Sequence, residues 1–229
     1  DQATRKVKSL GALSSTLFYP LIYRAAITAR KTFFQDPFAI RLAKQFHIQY
    51  DKVNLHEWPL LAPRLVGRAY QFDHLLEQFL KANPHGTVVN IGAGLDTTFM
   101  RLDNAKLTWV DLDFPKVIAL RKKLMPKNSR VHMISKSVLD LSWINDIQKY
   151  PGPYFFMAGG VFMYITEKQT KTIITRLAKK FPGSEIVFDP CSKEELRQSN
   201  LIAKMAKASN VKDTSDDYKW GTNNPKIFS

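Results

Sequence analysis

Two glycines and two aspartates carry the clearest chemical signal in this sequence. Val88-Val89-Asn90-Ile91-Gly92-Ala93-Gly94-Leu95-Asp96 is followed by Trp109-Val110-Asp111-Leu112-Asp113. A glycine turn leaving a strand lets a ligand approach the backbone, and an acid at the end of the next strand, about 20 residues on, accepts both hydroxyls of a ribose. The combination points to a nucleoside-type cofactor. Dinucleotide binders take the pattern G-x-G-x-x-G/A, whereas the sixth position here is Thr97, which argues against a pyrophosphate seated on the helix start. An adenosine with an amino-acid tail, as in S-adenosylmethionine, fits the string better. Blander readings stay open: a glycine pair also makes a plain tight turn, and Asp113-Phe114-Pro115 also reads as a capped helix start.

These residues need a scaffold, and the apolar periodicity supplies one. Thr87-Val88-Val89-Asn90-Ile91 is a short β-branched run bounded by Gly86 and Gly92, which reads as a buried strand. From there the pattern predicts helix 95–103, strand 107–111, helix 114–124, strands 130–134 and 154–158, helix 166–181, strand 184–189 and helix 192–208. Strands alternating with helices specify an α/β fold with a mostly parallel sheet flanked by helices. Upstream, Leu13, Leu17 and Leu21, then Phe38, Leu42 and Phe46, predict short helices punctuated by Pro20 and Pro37. A helix over Ala69–Lys81, with Phe72, Leu75, Leu76, Phe79 and Leu80 on one face, is expected to stop at Asn83-Pro84-His85-Gly86. The expected organisation is one domain over 1–229: a helical N-terminal cap over 1–82, an α/β core over 83–208, and a loop or the start of a lid over 209–229.

Composition excludes several classes. With 45% hydrophobic residues in 229, the chain can bury a sizeable core and is not intrinsically disordered. A lone cysteine, Cys191, rules out a disulfide framework and a cysteine zinc cluster, and favours a reducing, cytoplasmic compartment. The apolar runs fall short of a membrane span, and the first residues lack the unbroken apolar core of a signal peptide. The net charge of +14 raises the question of nucleic acid. Its distribution answers against a single patch: residues 1–50 carry roughly +6, residues 51–100 are near neutral, and residues 101–150 carry roughly +5. The dense clusters, Arg121-Lys122-Lys123 and Lys179-Lys180, fall at predicted helix ends, where solvated cations complement the helix dipole. There is also no aromatic-basic platform of the kind that grips single-stranded or flipped bases.

The string VVNIGAGLDTTFMRL followed by WVDLDFPKVIALRKKLMP resembles the leucine carboxyl methyltransferase family. TLFYPLIYRA, QDPFA, GRAYQFDHLLEQFL, AGGVFMYIT and FPGSEIVFDP extend the likeness in order from about Leu10 to Phe228, closest to the bacterial tetracenomycin-type polyketide O-methyltransferase branch. The resemblance implies a Rossmann-like class I methyltransferase that uses S-adenosyl-L-methionine, releases S-adenosyl-L-homocysteine and methylates an oxygen of a small-molecule acceptor. It places the methionine carboxylate on Arg68, with Arg24 closing over the cofactor. Gly92, Ala93 and Gly94 would line the methionine portion, and Asp113, with Asp111 beside it, would hold the ribose. Two departures accompany it. Ser137-Val138 stands where the family often has Asp and an apolar residue for the adenine, and Ala158-Gly159-Gly160 lacks the Glu of the protein carboxyl methylating members. The missing Glu counts against carboxyl methylation of a protein C-terminus, which stays as one alternative, and both departures keep cofactor binding without catalysis as another. The resemblance also implies a lid and a final pair of antiparallel strands that this sequence does not reach.

Transfer of a sulfonium methyl to oxygen needs alignment and exclusion of water more than acid–base help. A carboxylate acceptor needs no base, and a hydroxyl benefits from one. His47, His56, His74, His85 and His132 are candidates by type alone, so no general base is nominated. Phe162 and Tyr164 follow the fourth strand and either face the acceptor or pack in the core.

Overall fold

A computed structural model describes residues 17–55, 61–199 and 218–223. Helices α1 (Tyr19–Ala29), α2 (Pro37–Gln45) and α3 (Leu61–Ala82) precede strand β1 (Thr87–Ile91). Then follow α4 (Thr98–Leu102), β2 (Thr108–Asp113), α5 (Pro115–Leu124), β3 (Val131–Ser135), α6 (Trp143–Ile147), β4 (Tyr154–Ala158), α7 (Glu167–Lys180) and β5 (Glu185–Phe188). Residues 193–199 are helical; residues 200–208 of the expected helix 192–208 and Leu13 lie outside the described residues.

The five strands form one parallel sheet in the order β3-β2-β1-β4-β5. This is the Rossmann-like arrangement, with the order reversing between β1 and β4. The two-residue period of a strand sorts the core into two faces. Val89, Ile91, Val110, Leu112, Phe156 and Ala158 point to one side and pack with Trp143 and Ile147 of α6 and Ile173 and Leu177 of α7. Val88, Trp109, Phe155 and Met157 point to the other, against Phe72, Leu76, Phe79 and Leu80 of α3. Every residue of β1 is buried, as expected of the central strand of a doubly covered sheet. Helices α1 and α2 share a further cluster with Leu95, Leu124 and Met125, so they pack onto the core beside the glycine turn.

Most elements lie where the periodicity predicts them, with informative exceptions. Helix α3 starts at Leu61, well before Ala69, because Pro63 stands in its first turn, where the missing N–H costs nothing. Leu75 is 40% exposed and lies off the apolar face to which the pattern assigned it. The five-residue α6 is absent from the expected pattern, being too short to show a helical period. Helix α7 begins in a reciprocal cap: Thr166 Oγ accepts from the Gln169 amide, and the Gln169 side chain accepts from the Thr166 amide at 2.8 Å.

Candidate functional site

The strand order reverses between β1 and β4, and the crevice beyond the carboxyl ends at such a reversal is where open α/β sheets receive ligands. On its β1 side the chain turns sharply at Gly92 (φ 66°) and again at Gly94 (φ 46°). A Cβ on Gly92 would collide with a methyl of Val161, which arrives from the loop after β4. Backbone conformation and lack of space both demand glycine there. The Gly92 and Ala93 amides donate to the Leu112 carbonyl at 2.8 and 3.2 Å, which fastens the turn to β2.

Asp113 ends β2 at the rim of this turn. Its carboxylate accepts from the Gly94 amide at 2.7 Å and from the Phe114 amide at 2.6 Å, and burial raises its pKa despite those bonds. Phe114, the next residue, is 58% exposed although aromatic. The loop after β3 brings Ser137 and Val138 to the same end of the sheet, both half-buried; the Ser137 hydroxyl already accepts from the Leu139 amide at 3.2 Å.

Asp111 lies two residues earlier on the same face of β2, and that distance puts it inside. It is 1% exposed, accepts from Trp109 Nε1 at 2.8 Å and Asn90 Nδ2 at 3.3 Å, and pairs with Arg121 at 2.6 Å. These partners close it off from a ligand in the crevice, contrary to its expected place beside Asp113. Arg121, read from sequence as part of a solvated helix end, is 2% exposed. Its Nη1 donates to the carbonyls of Ala93, Gly94 and Asp96 at 3.2, 3.0 and 2.9 Å. The guanidinium thus gathers the carbonyls of the glycine turn beneath the crevice, with its charge met by Asp111.

Arg24 is also enclosed, at 4% exposure. It donates to Asp36 Oδ2 at 2.9 Å and to the Leu95 carbonyl at 2.9 Å. Asp36, in the QDPFA segment, caps α2 through the Ala39 amide and accepts from Arg101 at 2.7 Å and from the Thr97 hydroxyl. Arg101 in turn grips Asp73 of α3 with two bonds, at 2.6 and 2.8 Å. Burial alone would raise the Asp36 pKa, but Arg24 and Arg101, with the Thr97 and Ala39 donors, hold it below the ordinary carboxylate value. Arg24 therefore ties α1 to the segment that follows the glycine turn, where the resemblance implied a group closing over the cofactor.

On the β4 side, Gly159 and Gly160 form the loop floor, and Arg68 of α3 lies across them. A Cβ on Gly160 (φ 73°) would come within 2.9 Å of Arg68 Nη1. Arg68 donates to Asp189 at 2.7 Å, and the other Asp189 oxygen accepts from the Gly160 amide at 2.6 Å. Arg64, one turn earlier on α3, pairs with Glu195 at 3.1 Å. Phe162 is fully buried, 5.2 Å from the Phe188 ring, so of its two expected roles the structure shows core packing. Tyr164 is half-buried and meets the Tyr218 ring edge-on at 5.2 Å. Cys191 is buried, and burial pushes its thiol up to about 11.

Asp36, Arg101, Arg121 and Asp189 escaped the sequence reading. Only Asp189 carried a usable signal, since it directly follows β5, much as Asp113 ends β2.

Fold and site together define a Rossmann-like α/β protein that sets a β1 glycine turn, with an acid at its rim, beside a β4 glycine floor crossed by an arginine. More narrowly, the chain belongs to the leucine carboxyl methyltransferase family, which it matches over residues 19–178. It is 29% identical over 160 residues to the tetracenomycin polyketide synthesis O-methyltransferase TcmP of Streptomyces glaucescens; the match covers 69% of this chain and spans 57% of that relative's length. Among solved structures it is similar to PKMT2 from Rickettsia typhi, at TM-score 0.45 and 19% identity over 55% of this chain and 25% of that one. It is also similar to CalO1, a methyltransferase of calicheamicin biosynthesis, at TM-score 0.43 and 17% identity over 91% of this chain and 60% of that one. No described helix is long and apolar enough to cross a membrane.

Proposed function

We propose that this chain is an S-adenosylmethionine-dependent O-methyltransferase that acts on a small-molecule hydroxyl or carboxylate, working as one domain in the cytoplasm. Family membership and the TcmP relative support the activity and the oxygen acceptor. The observation that carries the proposal is that Asp113, at the end of β2, and Arg68, against the glycines after β4, flank the β1 strand and its Gly92 turn. Strand spacing separates β2 from β4 by about 10 Å, which suits a ribose at one end and an amino-acid tail at the other.

The residues present fit that cofactor. Asp113 has lone pairs beyond those used by the Gly94 and Phe114 amides, so it can accept from ribose hydroxyls. Phe114 offers an exposed ring face to the base, with Ser137 and Val138 at the neighbouring strand end. Arg68 uses Nη1 for Asp189 and keeps further donors for a carboxylate. When bound, S-adenosylmethionine supplies an activated sulfonium methyl. The protein's own contribution is positional: Arg121 and Leu112 fix the glycine turn, and Gly92 leaves the backbone open to close approach. A carboxylate acceptor would need no proton removed, and no described histidine hydrogen-bonds to the crevice residues named above.

Calorimetric titration of the protein with S-adenosylhomocysteine tests the cofactor assignment. Saturable binding that weakens about tenfold or more in Asp113→Ala is expected from loss of a charged acceptor. Absence of binding to the intact protein sinks the proposal. Incubation with labelled S-adenosylmethionine and sets of phenols and carboxylic acids then identifies the acceptor.

A further inference from the structure

Arg68 and Asp189 form an ion pair unlike the others around the crevice. The Arg24–Asp36 and Arg121–Asp111 pairs have side chains no more than 5% exposed, whereas Arg68 and Asp189 keep 15% and 17%. Among the described residues each Asp189 oxygen accepts one hydrogen bond, Oδ1 from the Gly160 amide and Oδ2 from Arg68, which leaves each a further lone pair. The Gly160 amide fixes the carboxylate, and the carboxylate fixes the arginine against the glycine floor. The result is a cation and an anion side by side, both anchored and both open to solvent. A zwitterionic α-amino acid head, with its carboxylate and ammonium on one carbon, has the complementary charge pattern.

Building on the cofactor assignment above, we infer that Arg68 and Asp189 together receive the amino-acid end of the cofactor, with the Asp189 carboxylate accepting from its α-ammonium. Two opposite charges on the site also discriminate. A ligand without the amine brings its carboxylate to the site and leaves the open lone pairs of Asp189 unmatched, so that ligand is disfavoured.

The test compares two ligands on two proteins by calorimetry: S-adenosylhomocysteine and its deaminated analogue, each titrated into the unaltered chain and into Asp189→Asn. The unaltered chain is expected to favour the amine-bearing ligand by about tenfold or more, the size of a charge-assisted hydrogen bond. Asp189→Asn is expected to lose most of that preference, in the manner of a double-mutant cycle. A purely structural role for Asp189 would weaken both ligands alike and keep the preference, which overturns the inference while leaving the cofactor assignment intact. Binding of neither ligand to the unaltered chain overturns both. Should Asp189→Asn fail to fold by circular dichroism, Asp189→Ser, smaller and equally neutral, gives the same comparison.

Discussion

Arg121 and Asp111 meet at 2.6 Å beneath the glycine turn, both at most 2% exposed, and the arginine spends another of its nitrogens on the carbonyls of Ala93, Gly94 and Asp96. Removing one member leaves an uncompensated buried charge, which costs about 3–5 kcal/mol. Arg121→Met is expected to lose that much stability in urea denaturation. Adding Asp111→Asn is expected to recover part of it, and strictly additive losses would show that the two residues act separately.

The Gly92 position is constrained twice. Gly92→Ala is expected to destabilise the fold by about 1–3 kcal/mol through its positive φ, and the clash with Val161 adds to that. Pairing it with Val161→Ala relieves the contact and leaves the backbone strain. Thermal melts of the two variants therefore separate the contributions; identical melting points would mean that the contact is relieved elsewhere.

Acidification acts on Asp36 and Asp113 in opposite senses. Asp36 has a lowered pKa, so its contribution to stability is full above the ordinary value of 3.8 and is lost as pH falls through the depressed folded value. Asp36→Asn is expected to flatten the acid limb of a stability profile. Asp113 has a raised pKa, so the free protein gains stability on its account below 3.8 and loses it as pH rises through the folded value.

The same shift at Asp113 bears on ligand binding. Ribose hydroxyls prefer the ionised acceptor, so affinity for S-adenosylhomocysteine is expected to start falling on acidification above the pH at which an unperturbed aspartate would protonate. In Asp113→Asn that pH dependence should disappear along with most of the affinity. Calorimetry across a pH series checks both.

How much of this was legible in the sequence depends on range. The sheet could be read because β-branched runs such as Thr87–Ile91 announce strands locally, and Gly92, Gly94 and Asp113 follow from spacing along the chain. Asp111 and Arg121 could not be sorted correctly. Whether an acid two residues before a strand end is a ligand contact or a core group depends on what lies opposite, and Arg121 stands among lysines that look equally solvated. Asp36 and Arg101 are 65 positions apart and become partners only once α2 docks on α4. Composition and periodicity carry no signal for such a pair.

Asp36 accepts from Arg24 of α1, Arg101 and Thr97 of the segment behind the glycine turn, and the Ala39 amide of its own helix, with its side chain wholly enclosed. Swinging α1 outward would part the buried Arg24 from both Asp36 and the Leu95 carbonyl. The first helix is thus a fixed wall rather than a door. For the proposed cofactor, the way in then lies on the opposite bank, where Arg68 and Asp189 are partly open to water.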